Sequence, residues 1–113
     1  MEVRLKNEDL AAILIEIWRL DQVIAGLSDT SAAAALRRIS RRLQGAVASF
    51  ETDVIDLAGR VYDPGMPADV IDVEYAQAGA QIDDIVATTV EPTVVIGGRI
   101  VTRGQIVLRK AGK

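Results

Sequence analysis

Residues 33–61, AAALRRISRRLQGAVASFETDVIDLAGRV, decide how the rest of the chain is read. Leu36, Leu43, Phe50 and Leu57 recur every seven residues, and Ala33, Ser40, Val47, Val54 and Val61 form a second series at the same interval. Interleaved, the two series step alternately by three and four, the period of an apolar seam on a helix. Val dominates one series and Leu the other, a combination that favours paired helices. Ile39, Ala46 and Ala58 flank the seam where a two-stranded coil carries charges, so the apolar face is as wide as a bundle helix requires. Two such hairpins would bury it as a four-helix bundle. That predicts a homodimer with Leu36, Leu43, Val47, Phe50, Val54 and Leu57 at its interface. The competing expectation is that the C-terminal half of the same chain covers the surplus. Arg37, Arg38, Arg41 and Arg42 fall outside the seam and read as a solvated face, not as a nucleic-acid stripe.

Toward the N-terminus, Leu10, Ile13, Leu14, Ile17 and Ile24 repeat at helical spacing. Asn7 stands as an N-cap, with Glu8 and Asp9 in a first turn where acids suit the helix dipole. Gly26 ends the pattern, which predicts a helix over residues 8–25. Ser28, Asp29 and Thr30 supply a turn and the next N-cap. Trp18, the sole Trp, is expected to anchor a bundle core or an interface.

Toward the C-terminus the helical period stops between Gly59 and Pro64, and Asp63, Pro64, Gly65 and Pro67 make a loop. Val70, Ile71, Val73 and Tyr75 read as a short strand, and residues 76–80 as a turn at Gly79. Ile85, Val86 and Val90, then residues 94–96, 99–101 and 105–108, are β-branched runs punctuated by Pro92, Gly97, Gly98 and Gly104. Short strands spaced by Gly and Pro indicate a small antiparallel β domain. The expected fold class is therefore α+β: a helical hairpin over residues 8–61 for dimerisation, then a β domain over 62–110 for partner binding.

Composition narrows the chemistry. The 113 residues contain no Cys and no His, which removes disulfides, thiolate and imidazole metal sites, and most nucleophile–base arrangements. Asp83 and Asp84 are adjacent, so on a strand they point to opposite faces and cannot share a proton. Asp63, Asp69 and Asp72 lack the spacing of a calcium loop and read as solvated loop acids. Gly97-Gly98 precedes a strand, so it reads as a tight turn with positive φ and not as a phosphate cradle. No enzyme, metal or cofactor is expected. Net charge is −3, but it is unevenly spread. Residues 61–98 hold seven acids and no base, and residues 99–113 hold Arg99, Arg103, Arg109, Lys110 and Lys113 with no acid. These segments are expected either to pair across a sheet or to present a charged docking patch. No apolar run follows a basic start, and none approaches the roughly 18 residues of a membrane span. A cytoplasmic protein without membrane or nucleic-acid partners is expected.

The order of these features resembles GrpE, the nucleotide exchange factor of DnaK-type chaperones. In that family a helical hairpin leads into a Phe-Asp-Pro loop, and a small β domain ends in an Arg-Val-Leu strand. Leu20-Asp21 lies where the family often has Leu-Asp-Asn-Leu. Tyr62-Asp63-Pro64-Gly65-Met66 is similar to the loop, and Val70 matches its closing Val. Val86, Val90 and Pro92 fall at the strand before a turn. Arg99-Ile100-Val101 looks like Arg-Val-Leu, with Ile106 and Leu108 at the two final Val positions. The likeness runs over residues 10–108. Pro67-Ala68, Pro92-Thr93 and Thr102-Arg103-Gly104 depart from it, and the family's long N-terminal helix has no counterpart. The resemblance implies a homodimeric, non-enzymatic co-chaperone that grips a DnaK-like ATPase domain, with Tyr62, Met66, Arg99, Val101 and Arg103 as the contact residues. The alternative is a scaffold or interaction module that keeps the fold without exchange activity.

Overall fold

The computed structural model describes residues 2–112, so Lys113 lies outside them. Two helices, α1 (Asn7–Ala25) and α2 (Thr30–Val47), precede six strands: β1 (Thr52–Ile55), β2 (Ala68–Ala78), β3 (Ile85–Glu91), β4 (Thr93–Ile96), β5 (Arg99–Thr102) and β6 (Gly104–Gly112). The chain is α+β, an N-terminal helical hairpin followed by a β half. The helix ends follow local chemistry. Asp29 caps α2, its Oδ1 accepting from the N–H groups of Ser31 and Ala32 at 3.0 Å each. Gly26 closes α1, its N–H donating to Val23 O at 3.1 Å. The start of α1 corrects the expected cap: Lys6 holds the N-cap position without a side-chain bond, and Asn7 is already helical.

The second helix stops well short of residue 61. Residues 52–55 instead form β1, which pairs antiparallel with β4 from Thr52↔Ile96 to Ile55↔Thr93. The physical reason is visible in the residues. Gly45 weakens the helix by about 1 kcal/mol relative to Ala, and Thr52, Val54 and Ile55 are β-branched. Val54 on the strand packs against the α1 cluster of its own chain, and the strand gains a backbone ladder as well. The β half therefore begins at Thr52, ten residues before the expected boundary.

The β half is built on one long hairpin. β3–β4 runs out and β5–β6 runs back, with β3 paired to β6 and β4 to β5. Gly97 and Gly98 turn the corner at φ 58° and 79°, which a two-residue hairpin loop requires. The hairpin changes sheet at its waist, where buried Pro92 separates β3 from β4 and Arg103 separates β5 from β6. β1 adds to one end, giving the sheet β1-β4-β5, and β2 adds to the other, giving β2-β6-β3. The β2–β6 pairing is parallel, which corrects the all-antiparallel expectation. The chain between them, β3 to β5, supplies the long crossover that parallel neighbours need.

Two apolar clusters hold these layers. Leu10, Ala11, Leu14 and Ile15 of α1 pack on Val94 of β4, and Val47, Val54, Ile96 and Val101 close around them. Leu57, Ala68, Val86 and Ile106 form the second cluster, with Ile55, Tyr62, Met66 and Val70 at its border. The waist is polar. The hydroxyl of buried Thr93 donates to Pro67 O at 2.7 Å and accepts from Gly104 N–H at 3.1 Å. The helices share a half-buried polar lock around buried Ser40, whose Oγ donates to Asp21 Oδ1 at 2.6 Å and accepts from Gln44 Nε2 at 3.0 Å. The molecule measures 60 × 37 × 17 Å. A body only two layers thick leaves much apolar surface uncovered.

Candidate interaction surfaces

The five residues expected to meet a partner fall into two groups. Tyr62, Met66 and Arg103 gather around the loop that leads into β2. Tyr62 and Met66 border the second cluster, half-buried, and their N–H groups donate to Asp84 O at 2.8 Å and Asp63 O at 2.9 Å. Asp63 also accepts from Gly65 N–H at 2.8 Å, which fixes the Asp-Pro-Gly turn. Arg103 is exposed but held within the chain: Nε donates to Asp69 Oδ1 at 3.0 Å, and Nη2 reaches Ala68 O at 3.3 Å and Met66 O at 3.4 Å. Arg99 and Val101 sit on β5 in the other sheet. Val101 packs inward on the helix cluster, whereas Arg99 is exposed beside the Gly97-Gly98 turn and forms no ion pair among the described residues. Ile100 beside it is exposed as well.

The uneven charge is resolved in part by pairing. Arg103–Asp69 and Arg109–Glu74, the latter at 2.8 Å, join the basic C-terminal strand to the acidic β2. Glu91 meets Arg19 of α1 at 3.4 Å. All are solvent-accessible pairs, worth about 1 kcal/mol or less each.

One surface was missed by sequence reasoning. β2 is an edge strand of eleven residues, and Ile71, Val73 and Tyr75 on it are exposed, Tyr75 at 75%. Ile82, in the following connection, is 94% exposed. Asp72 and Asp83 stand near them in sequence without ion pairs among the described residues. The sequence pattern of Val70, Ile71, Val73 and Tyr75 predicts a short strand, with no face assigned. A bulge between Val70 and Asp72 shifts the register, and among the described residues nothing buries the side chains from Ile71 to Tyr75.

The expected dimer seam is also redistributed. Leu57 is 4% exposed inside the second cluster, and Val54 and Val47 border the first, so these three face their own chain. Leu43 and Phe50 remain 42% exposed, and Leu36 is half-buried. The uncovered face now spans both helices: Ile13 and Leu20 of α1 line a shallow groove with Leu43 of α2, and exposed Ile39 lies one turn before Leu43. The helices carry opposite charge. α1 holds Glu8, Asp9, Glu16 and Asp21 against Arg19 alone, while α2 holds four Arg and no acid.

Two further cavities adjoin each other beside this groove, the first sharing Ile17 with it. One, of about 380 Å³, is lined by Leu14, Trp18, Phe50 and Val54, with Asp21 and Gln44 at its end. The other, of about 310 Å³, shares Asp21 and Gln44 and continues past Ser40 to Arg37 and Arg41. Trp18 Nε1 donates to Asp56 Oδ2 at 3.3 Å, which ties α1 to the loop after β1.

Among the described residues no group of three or more acids could hold a metal ion, and no helix is long and apolar enough to cross a membrane. No protein-family model matches the chain, and no curated protein matches it significantly.

Proposed function

We propose that this chain is a GrpE-like co-chaperone or adaptor that binds a DnaK-like ATPase domain through its β half and promotes nucleotide release. The observation that carries the reading is the uncovered β half: an edge strand presenting Ile71, Val73 and Tyr75, with Ile82 beyond it, entered from β1 through an aromatic-Asp-Pro loop. Exposed aromatic and large aliphatic side chains with a charged rim are the usual anchors of a protein interface. No catalytic group is needed. An adaptor that binds the open state of a nucleotide cleft more tightly than the closed state shifts the cleft open, and each tenfold of differential affinity supplies about 1.4 kcal/mol. Arg99 and Ile100 at the hairpin turn are the second contact in this reading. Tyr62, Met66, Val101 and Arg103 act by shaping the surface, since their side chains are engaged within the chain.

A second copy of the chain covers the hairpin in this proposal. Facing hairpins related by a two-fold axis along the helices put each acidic α1 over the partner's basic α2. A two-fold across the helices would instead stack arginines on arginines. The charges support the first arrangement, which leaves both β halves at one end of the bundle. Cytoplasmic residence belongs to the same reading.

The test is single-turnover release of labelled ADP from the DnaK-like ATPase of the same genome. Acceleration by the chain is expected, with loss in Tyr75→Glu/Ile82→Glu and in Arg99→Glu. Unchanged release with the unmodified chain, despite binding, would establish the second reading: an interaction module that keeps the fold without exchange activity. The observation favouring that alternative is Arg103, whose guanidinium is consumed by Asp69 and two carbonyls.

A further inference from the structure

Beside the proposed dimer contact, with which it shares Ile17, the hairpin carries a graded groove. At one end the chain's sole Trp and sole Phe, Trp18 and Phe50, stand with Leu14 and Val54 around an apolar cavity of about 380 Å³. At the other end Arg37 and Arg41, both exposed, form no ion pair among the described residues. Asp21 and Gln44 lie between and line both cavities. Asp21 already accepts from Ser40 and, at 3.4 Å, from Gln44, so its carboxylate is positioned and keeps lone pairs free.

We propose that this groove holds the free C-terminal end of an extended peptide, with apolar side chains at Trp18 and Phe50 and the terminal carboxylate at Arg37 and Arg41. The chemistry matches in order along the groove. Apolar side chains fill the aromatic end. Main-chain N–H groups find the Asp21 carboxylate, and a carbonyl finds the Gln44 amide. Two guanidinium groups one helical turn apart clamp the carboxylate, the geometry that Arg suits better than Lys. The length matches too. From Ala48 to Arg37 is about 16 Å along a helix at 1.5 Å per residue, which about five extended residues span at 3.3 Å each. An alkyl chain ending in a carboxylate shares the two ends but must lie across the Asp21 charge, which a peptide uses and a hydrocarbon does not. This binding face is independent of the β-half reading above.

Trp18 is a built-in reporter. Its fluorescence is titrated with a Trp-free acetylated pentapeptide of Leu, Val and Ala bearing a free carboxylate, with the same peptide as its C-terminal amide, and with decanoate. The expected result is a saturable change for the free acid, about tenfold or more weaker for the amide. The double variant Arg37→Gln/Arg41→Gln, folded by circular dichroism, should bind acid and amide alike. Equal affinity for acid and amide on the unmodified protein overturns the proposal. So does decanoate binding as well as the peptide, absence of saturation, or a response that follows protein concentration and so reports self-association.

Discussion

Replacing Gly104 by Ala should destabilise the fold by overpacking the hairpin waist. A Cβ built there meets Thr93 Oγ1 at 2.7 Å, Glu91 O at 3.0 Å and Thr93 N at 3.1 Å. Carbon contacts relax near 3.5–4.0 Å, so all three are compressive, and two of the three are backbone atoms that cannot rotate away. Overpacking of this kind costs about 1–3 kcal/mol, and the fixed partners put Gly104→Ala at the upper end. Loss of glycine's freedom in the unfolded chain returns about 0.4–1 kcal/mol. The net is about 2 kcal/mol, or roughly 8–16 °C in Tm for a domain of this size. Urea unfolding followed by Trp18 fluorescence and far-ultraviolet circular dichroism measures it, with an unchanged m-value. Thr93→Ala removes the closest of the three atoms. It costs about 1–2 kcal/mol alone and less in the Gly104→Ala background, with a coupling of about 1 kcal/mol. A Gly104→Ala Tm within about 2 °C of the parent refutes the close approach of the two sheet crossovers.

The seam residues should separate cleanly by role. Leu57→Ala opens a cavity in the second cluster and should cost about 2–4 kcal/mol in urea while leaving the molar mass by light scattering unchanged. Leu43→Glu should alter stability by less than about 0.5 kcal/mol in the monomer yet convert a dimer to a monomer in the same light-scattering experiment; a parent chain that is monomeric at every concentration removes the second copy from the proposal. Asp29→Ala deletes the α2 cap and should cost about 1 kcal/mol in urea unfolding, with Asp29→Asn nearly neutral.

How much of this was legible in the sequence depended on whether a pattern had one physical solution. The turn at Gly97-Gly98, the loop at Asp63-Pro64-Gly65, the helix at residues 8–25 and most strand positions had only one, because glycine, proline and acid placement point the same way as the apolar period. Residues 50–57 had two. Phe50, Val54 and Leu57 fit a heptad, and Thr52 to Ile55 equally fit a strand. Only β4, forty residues on, decides between them by offering a ladder, so a local window extends the helix too far. The expected contact residues are placed by tertiary structure. Tyr62, Met66 and Arg103 have the composition of an interface, but the fold spends them on its own loop. The exposure of Ile71, Val73 and Tyr75 depends on a missing neighbour for β2, and no periodicity reports a missing neighbour. The paired cavities beside Trp18 were invisible because Asp21 and Gln44 meet only when the two helices are packed side by side.

The kinked hairpin from β3 to β6 also sets an order of assembly. Its strands are neighbours in sequence around Gly97-Gly98, so closing them costs little chain entropy, whereas β1 and β2 must come from long loops to reach β4 and β6. The hairpin is therefore expected to close before the two outer strands join it. β1 and β2 dock on a ribbon already formed, and α1 settles last on the surface that Val94 provides. During synthesis the α1 face of the first cluster stays uncovered until Val94 and Val101 have emerged.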